Sequence, residues 1–213
     1  MKLNWAERLV VSNPIRVAMQ HLEINWFQSI MPLEPGAHIL EIGCGRGVGA
    51  KLIIEHFQPA RLHLLDLDVR MVEKAYAYLS SSGNHGLSFC VGNATALPFE
   101  YESMDAVFGF GFLHHVSTWR SSLKETARVL KIGGIYYIEE LYPSIYQNFI
   151  TKRILAHPHR DRFNSQELRD ALIEVDIALN HAFELKRFGI LGVGIKTEKG
   201  AAADASIECR LKI

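Results

Sequence analysis

The sequence predicts a doubly wound α/β fold: about seven mostly parallel strands, helices on both faces of the sheet, and a helical cap at the N-terminus. Short apolar runs alternate with longer stretches of helical periodicity through most of the chain. An apolar run, a glycine-rich turn and a helical stretch succeed one another over residues 38–57. A second apolar run then ends in an acid, Asp66, about 20 residues beyond the turn, as in folds that bind nucleotides at the strand ends.

The elements follow in order. Residues 3–30 read as one or two helices, with Ile15, Met19, Leu22, Trp26 and Ile30 at helical spacing and a break and restart at Asn13-Pro14. Two tryptophans, Trp5 and Trp26, need burial, which predicts a helix packed outside the domain; the sharper alternative is a lid over a bound ligand. A loop with Pro32 and Pro35 leads to the first strand, His38 to Ile42. Gly43, Gly45 and Gly47 then form a turn that admits positive φ and a close ligand, and the helix over 47–57 begins there with unpaired N–H groups. A carboxylate, Glu41, stands two residues before the first glycine. It would repel a pyrophosphate and suits a ligand with a cationic end.

Arg61 to Asp66 is the second strand, with Asp66 placed to accept from a ribose diol. Asp68 caps a helix over Met71, Ala75, Tyr78 and Leu79. Leu87 to Val91 is the third strand and Met104 to Phe110 the fourth, the latter apolar enough to be covered on both faces. A helix over about 117–130 ends at the Gly133-Gly134 turn, and the fifth strand is Ile135 to Glu139. Asn164-Ser165 caps a helix over Leu168, Leu172, Ile173 and Val175. Residues 180–187 and 190–196 read as two closing strands, and residues 198–213 as an edge strand or a loose end. The expected organisation is one domain over 1–213: N-terminal helices (1–31), a binding core (36–140), a substrate-side segment with the last strands (141–197), and the tail.

Composition narrows the function. Lys plus Arg and Asp plus Glu both total 23, so no electrostatic footprint for nucleic acid is present. The three cysteines stand in no metal-like spacing and suggest a reducing compartment. No apolar run reaches the roughly 18–20 residues of a membrane span. Glu7 and Arg8 interrupt any signal-peptide core, so a cytoplasmic location is the expectation.

Five segments carry a resemblance. Glu41-Ile-Gly-Cys-Gly-Arg-Gly, Gly92-Asn93-Ala94-Thr-Ala-Leu-Pro-Phe, Asp105-Ala-Val, Leu113-His-His-Val and Arg128-Val-Leu-Lys-Ile-Gly-Gly, with Asp66 between the first two, resemble class I S-adenosylmethionine-dependent methyltransferases. The likeness covers residues 36–140 and is nearest the branch of ubiquinone- and menaquinone-biosynthesis enzymes. It implies a Rossmann-like fold, S-adenosyl-L-methionine as cofactor and S-adenosyl-L-homocysteine as product. Glu41, Gly43, Cys44, Gly45, Gly47, Asp66, Leu67, Asn93, Ala94 and Phe110 would line the cofactor. Asn93 stands where the family has an acid for the adenine amino group, and Ile132 where it often has proline. The expected acceptor is a small molecule, lipid-like or aromatic.

Methyl transfer from a sulfonium needs alignment first, and a base only where the acceptor carries a proton to lose. Candidate bases follow the fourth and fifth strands: His114, His115, Glu139, Glu140 and Tyr142, with His115, Glu140 and Tyr142 chosen as catalytic candidates. His157 and His159 lack evident partner ligands, and no metal is expected. The rival readings are a nucleotide-dependent oxidoreductase using Gly45-x-Gly47-x-x-Ala50, a non-catalytic cofactor-binding protein of methyltransferase fold, and a methyltransferase acting on macromolecules.

Overall fold

The structure is a computed structural model that describes residues 14–80, 86–146, 162–185 and 187–200. Helix α1 (Pro14–Ile30) precedes β1 (His38–Ile42), α2 (Val48–Phe57), β2 (Arg61–Asp66), α3 (Val69–Leu79), β3 (Leu87–Val91) and β4 (Met104–Phe110). A 3-10 turn (Leu113–His115) leads to α4 (Trp119–Val129), β5 (Leu130–Leu141) and the short α5 (Pro143–Tyr146). The last elements are α6 (Ser165–Glu174), β6 (Ile177–Leu185) and β7 (Gly189–Lys196). The seven strands form one sheet in the order β3-β2-β1-β4-β5-β7-β6. β7 is antiparallel to both β5 and β6, and the other pairs are parallel. The chain builds outward from β1 through β2 to β3, then returns to β4 on the other side of β1. That reversal opens a crevice beyond the carboxyl ends of β1 and β4.

Strand alternation sorts the core into two layers. Leu40, Ile42, Val107, Tyr136 and Ile138 face Trp119 and Leu123 of α4 and Leu168 and Leu172 of α6. Ile39, Phe108 and Tyr137 face the other way, toward Phe27 of α1, Ile53 and Phe57 of α2, and Ala75 and Leu79 of α3. The second layer is aromatic: Phe108 and Tyr137 stack at 4.3 Å, and Phe27 meets Tyr137 edge-on at 5.1 Å. Phe27 is fully buried. The C-terminal half of α1 is thus a packed element of the fold, as the plainer reading of the tryptophan-bearing stretch expects. Two ties add to it: Tyr137 Oη donates to Met31 O at 2.5 Å and Gln28 Nε2 to His56 O at 2.8 Å.

Most boundaries fall where periodicity puts them. Asp68 caps α3 by accepting from Arg70 N, and Asn164 forms a capping box with Glu167. Two strand starts are corrected. β5 starts at Leu130, directly after α4, and the glycine pair lies inside the strand. Between the pairs Met104↔Leu130 and Ala106↔Ile135, β5 advances five residues while β4 advances two. Gly133, at φ +78, sits in that bulge. β6 also begins earlier than expected, at Ile177. The expected helix before Asn13, the histidines at 157 and 159 and most of the C-terminal tail lie outside the described residues.

Candidate active site

The glycine turn is shaped by what packs behind it. Gly43 has φ +76, and a Cβ there would lie 2.7 Å from Phe112 Cβ, so only glycine lets the turn close on the loop after β4. Gly43 N and Cys44 N both donate to Leu65 O, at 2.8 and 3.1 Å. The turn is therefore hung from the end of β2. Asp66 completes the suspension: its Oδ2 accepts from Gly45 N at 3.0 Å and its Oδ1 from Asp68 N at 2.9 Å.

A cavity of about 260 Å³ opens beyond these strand ends. Of the residues expected at a cofactor, Gly43, Gly45, Asp66, Leu67, Asn93, Ala94 and Phe110 line it, together with His115. Asn93 also closes its own turn, its Oδ1 accepting from Thr95 N at 3.0 Å. Cys44, Gly47 and Glu41 do not line it. Cys44 is buried, and its thiol is pushed up by burial and by the Glu41 and Asp66 charges. Gly47 ends the turn as the cap of α2, and a Cβ there would press on Leu79 and Ala75 of α3. Its role is helix packing.

Glu41 lies one layer behind the wall, on the face that carries α2. It is 2% exposed and its Oε2 has no partner. Burial, then the Asp66 charge, pushes its carboxyl well above the ordinary range. Burial likewise raises Asp66. No basic side chain among the described residues bonds to either carboxylate. Gly49 makes room for this acid, since a Cβ there would fall against Glu41 Oε1 and the Phe110 ring. A glycine in the first turn of a helix was the signal, and the sequence reading passed over it.

The expected catalytic set separates. Glu140 does not reach the cavity. It is 1% exposed and accepts from Leu113 N at 2.6 Å, His114 N at 3.2 Å and His114 Nδ1 at 2.7 Å. It braces the 3-10 turn from below, and Arg162 donates to His114 O from the far side. Tyr142 is buried with its hydroxyl donating to Glu184 at 2.9 Å, on the sheet's other flank. The polar atoms of both are committed to partners inside the fold. His115 alone of the three stands on the cavity wall, its ring 4.2 Å from that of His114.

Other matched segments are braces too. Arg128 donates to Leu97 O at 2.9 Å, to Phe99 O at 2.8 Å and to Glu125 at 2.7 Å, fixing the loop that carries Asn93 and Ala94. Asp105 accepts from His38 N at 2.8 Å and Lys131 Nζ at 2.6 Å, fastening β1 and β5 to β4 at the end remote from the cavity. No helix among the described residues is long and apolar enough to cross a membrane.

Residues 40–138 match a family model described as a methyltransferase domain. The sterol 24-C-methyltransferase of Gibberella zeae is 33% identical over 118 residues, 54% of this chain and 31% of that protein. The demethylmenaquinone methyltransferase of Lactococcus lactis is 37% identical over 113 residues, 52% of this chain and 44% of that one. The match thus spans less than half the length of these relatives. Among solved structures, a chain from the complex of the Haloferax volcanii Trm112 methyltransferase activator with a methyltransferase superposes with a TM-score of 0.75 at 19% identity, covering 93% of this chain and 100% of that one. At that identity the likeness is one of fold. The matched segment holds the glycine turn, Asp66, Asn93 and His115 around one crevice, and it is similar to methyltransferase domains.

Proposed function

We propose that the protein transfers a methyl group from S-adenosyl-L-methionine to a small acceptor that is lipid-like or aromatic. The observation that carries the cofactor is electrostatic. Two carboxylates, Glu41 and Asp66, bracket the glycine turn with no side-chain cation among the described residues bonded to either, and Glu41 keeps a buried oxygen unpartnered. Such a site favours a cationic ligand. When bound, the cofactor supplies an electrophilic methyl on a positive sulfur, ready for in-line attack. Asp66 would hold the ribose hydroxyls on the lone pairs its backbone bonds leave free. Glu41 would supply the negative field beneath the amino-acid end, and Asn93 would accept from the adenine amino group. Leu67, Ala94 and Phe110 would bury the apolar parts.

The oxidoreductase reading loses its basis in the same geometry. The glycine amide that would face a pyrophosphate, Gly45 N, donates to Asp66 instead, and a second acid, Glu41, lies behind the turn. The lipid-like acceptor class rests on relatives named for sterol and demethylmenaquinone chemistry. Calorimetric titration with S-adenosylmethionine, S-adenosylhomocysteine and NAD tests the cofactor. Micromolar binding of the first two and none of NAD is expected, and NAD binding alone refutes the assignment.

A further inference from the structure

Arg16, Glu23 and Glu139 form a buried ion cluster that the cofactor site does not use. Arg16 Nη1 donates to Glu23 Oε1 at 2.6 Å, and Arg16 Nη2 to Glu139 Oε2 at 2.8 Å. Both acids are 8% exposed, and Glu23 Oε2 has no partner. One guanidinium thus serves two carboxylates. The other groups near Glu139 are Glu140 on the same strand and His114 on the 3-10 turn, which bond to each other.

The cluster backs onto Gly111, a residue of the cavity wall. Glu139 is paired with Phe110 across β4 and β5, and its carbonyl accepts from Gly111 N at 2.8 Å. Gly111 lines the cavity at φ +64, and a Cβ there would stand 3.1 Å from Glu139 Oε2. No side chain at Gly111 stands between the cavity and the Glu139 carboxylate. Among the described residues nothing bonds to Glu139 Oε1. Strand alternation puts Glu139 on the face opposite the committed Glu140, toward α1.

We infer that Glu139 is the proton-accepting residue on the acceptor side, positioned by Arg16 of α1, and that the acceptor methylates at an atom bearing a proton, a hydroxyl or an amine. The inference rests on the methyltransferase reading above. In the step, a lone pair of the acceptor oxygen or nitrogen forms the new bond to the methyl carbon. The carbon–sulfur bond breaks with its electron pair kept on sulfur, which becomes a neutral thioether. The acceptor's proton passes to the Glu139 carboxylate. Burial, opposed by Arg16, pushes that carboxyl up to about 8, a value suited to taking a proton near neutrality. Glu23 anchors Arg16, so the base keeps a fixed direction whether or not it is ionised.

Sinefungin tests this without knowledge of the acceptor. It carries an amine where the cofactor carries its methylsulfonium, so its ammonium reports a carboxylate on the acceptor side. S-adenosylhomocysteine lacks that group and shares the rest. Wild-type protein at pH 8.5 should bind sinefungin at least tenfold more tightly than S-adenosylhomocysteine. Glu139→Gln should bring the ratio near one and leave the affinity for S-adenosylhomocysteine unchanged. In the wild type the ratio should fall about tenfold between pH 8.5 and 6.5 as Glu139 takes up its proton. A ratio that survives Glu139→Gln, or one independent of pH, overturns the inference. Failure of both ligands to bind refutes the methyltransferase reading instead.

Discussion

At the scale of single residues, acids of one chemical type do different work here because their partners differ. Asp66 is scaffold and cavity wall at once: it holds Gly45 N and Asp68 N while facing the cavity. Asp66→Asn keeps one acceptor oxygen and removes the charge. We expect it to weaken S-adenosylmethionine binding by about 1.5–3 kcal/mol, the scale of hydrogen bonds to a charged group, roughly ten- to a hundredfold. Isothermal titration of the variant decides this, and an unchanged Kd would take Asp66 out of the site. Glu140 faces no ligand but satisfies three donors in a buried place. Glu140→Ala leaves all three unpaired and should cost about 3 kcal/mol or more of stability. Urea unfolding measures it, and a loss under about 1 kcal/mol would contradict the bracing role assigned from these bonds.

At the scale of elements, α1 joins core packing to a buried ion pair. Its C-terminal half buries Phe27 against Phe108, Phe110 and Tyr137, while Arg16 near its start reaches Glu139. Phe27→Ala should cost about 3–5 kcal/mol, the range for emptying a buried aromatic site. A midpoint shift in denaturant well short of that would mean α1 is a detachable cover. The sheet's core strands were legible because each is a short apolar run between turn residues, and the caps at Asp68 and Asn164 were legible as local chemistry. The start of β5 was not, because Gly133-Gly134 reads as a helix stop and only the pairing with β4 turns it into a bulge. The cavity at the strand ends was legible for the same local reason: glycines and Asp66 declare themselves by spacing. Glu41, Cys44 and Gly47 share that spacing but point behind the wall, which only the packing of α2 and α3 reveals. The Arg16–Glu139 pair had no signal, since its partners stand 123 residues apart. Glu139 and Glu140 were indistinguishable in sequence until the strand's alternation was tied to a particular face.

At the scale of the whole molecule, buried acid sets the pH dependence. Glu23, Glu41 and Asp66 are all pushed up by burial, and Glu139 is pushed up to about 8. A carboxyl whose folded value lies above its unfolded one makes the folded state hold more protons between the two values. Stability from these groups is therefore greatest on the acid side and declines as pH rises through the folded values. Asp105, Glu125 and Glu184 run the other way: contacts with Lys131, Arg128 and Arg169 help hold them low, so their contribution is lost only at strongly acid pH. The thermal midpoint should accordingly peak on the mildly acid side, near pH 5–6 by the ordinary carboxylate scale, and fall between pH 6 and 8.5. Glu41→Gln removes one buried charge, so it should raise the midpoint at pH 8.5 and flatten the decline, while weakening S-adenosylmethionine binding. A cationic cofactor relieves the same repulsion, and saturating S-adenosylmethionine should raise the wild-type midpoint more at pH 8.5 than at pH 6. Differential scanning fluorimetry across that range, with and without ligand, reads both effects. A midpoint that rises with pH would show that the acids beneath the glycine turn are balanced within the protein, and the electrostatic case for a cationic cofactor would fall with it.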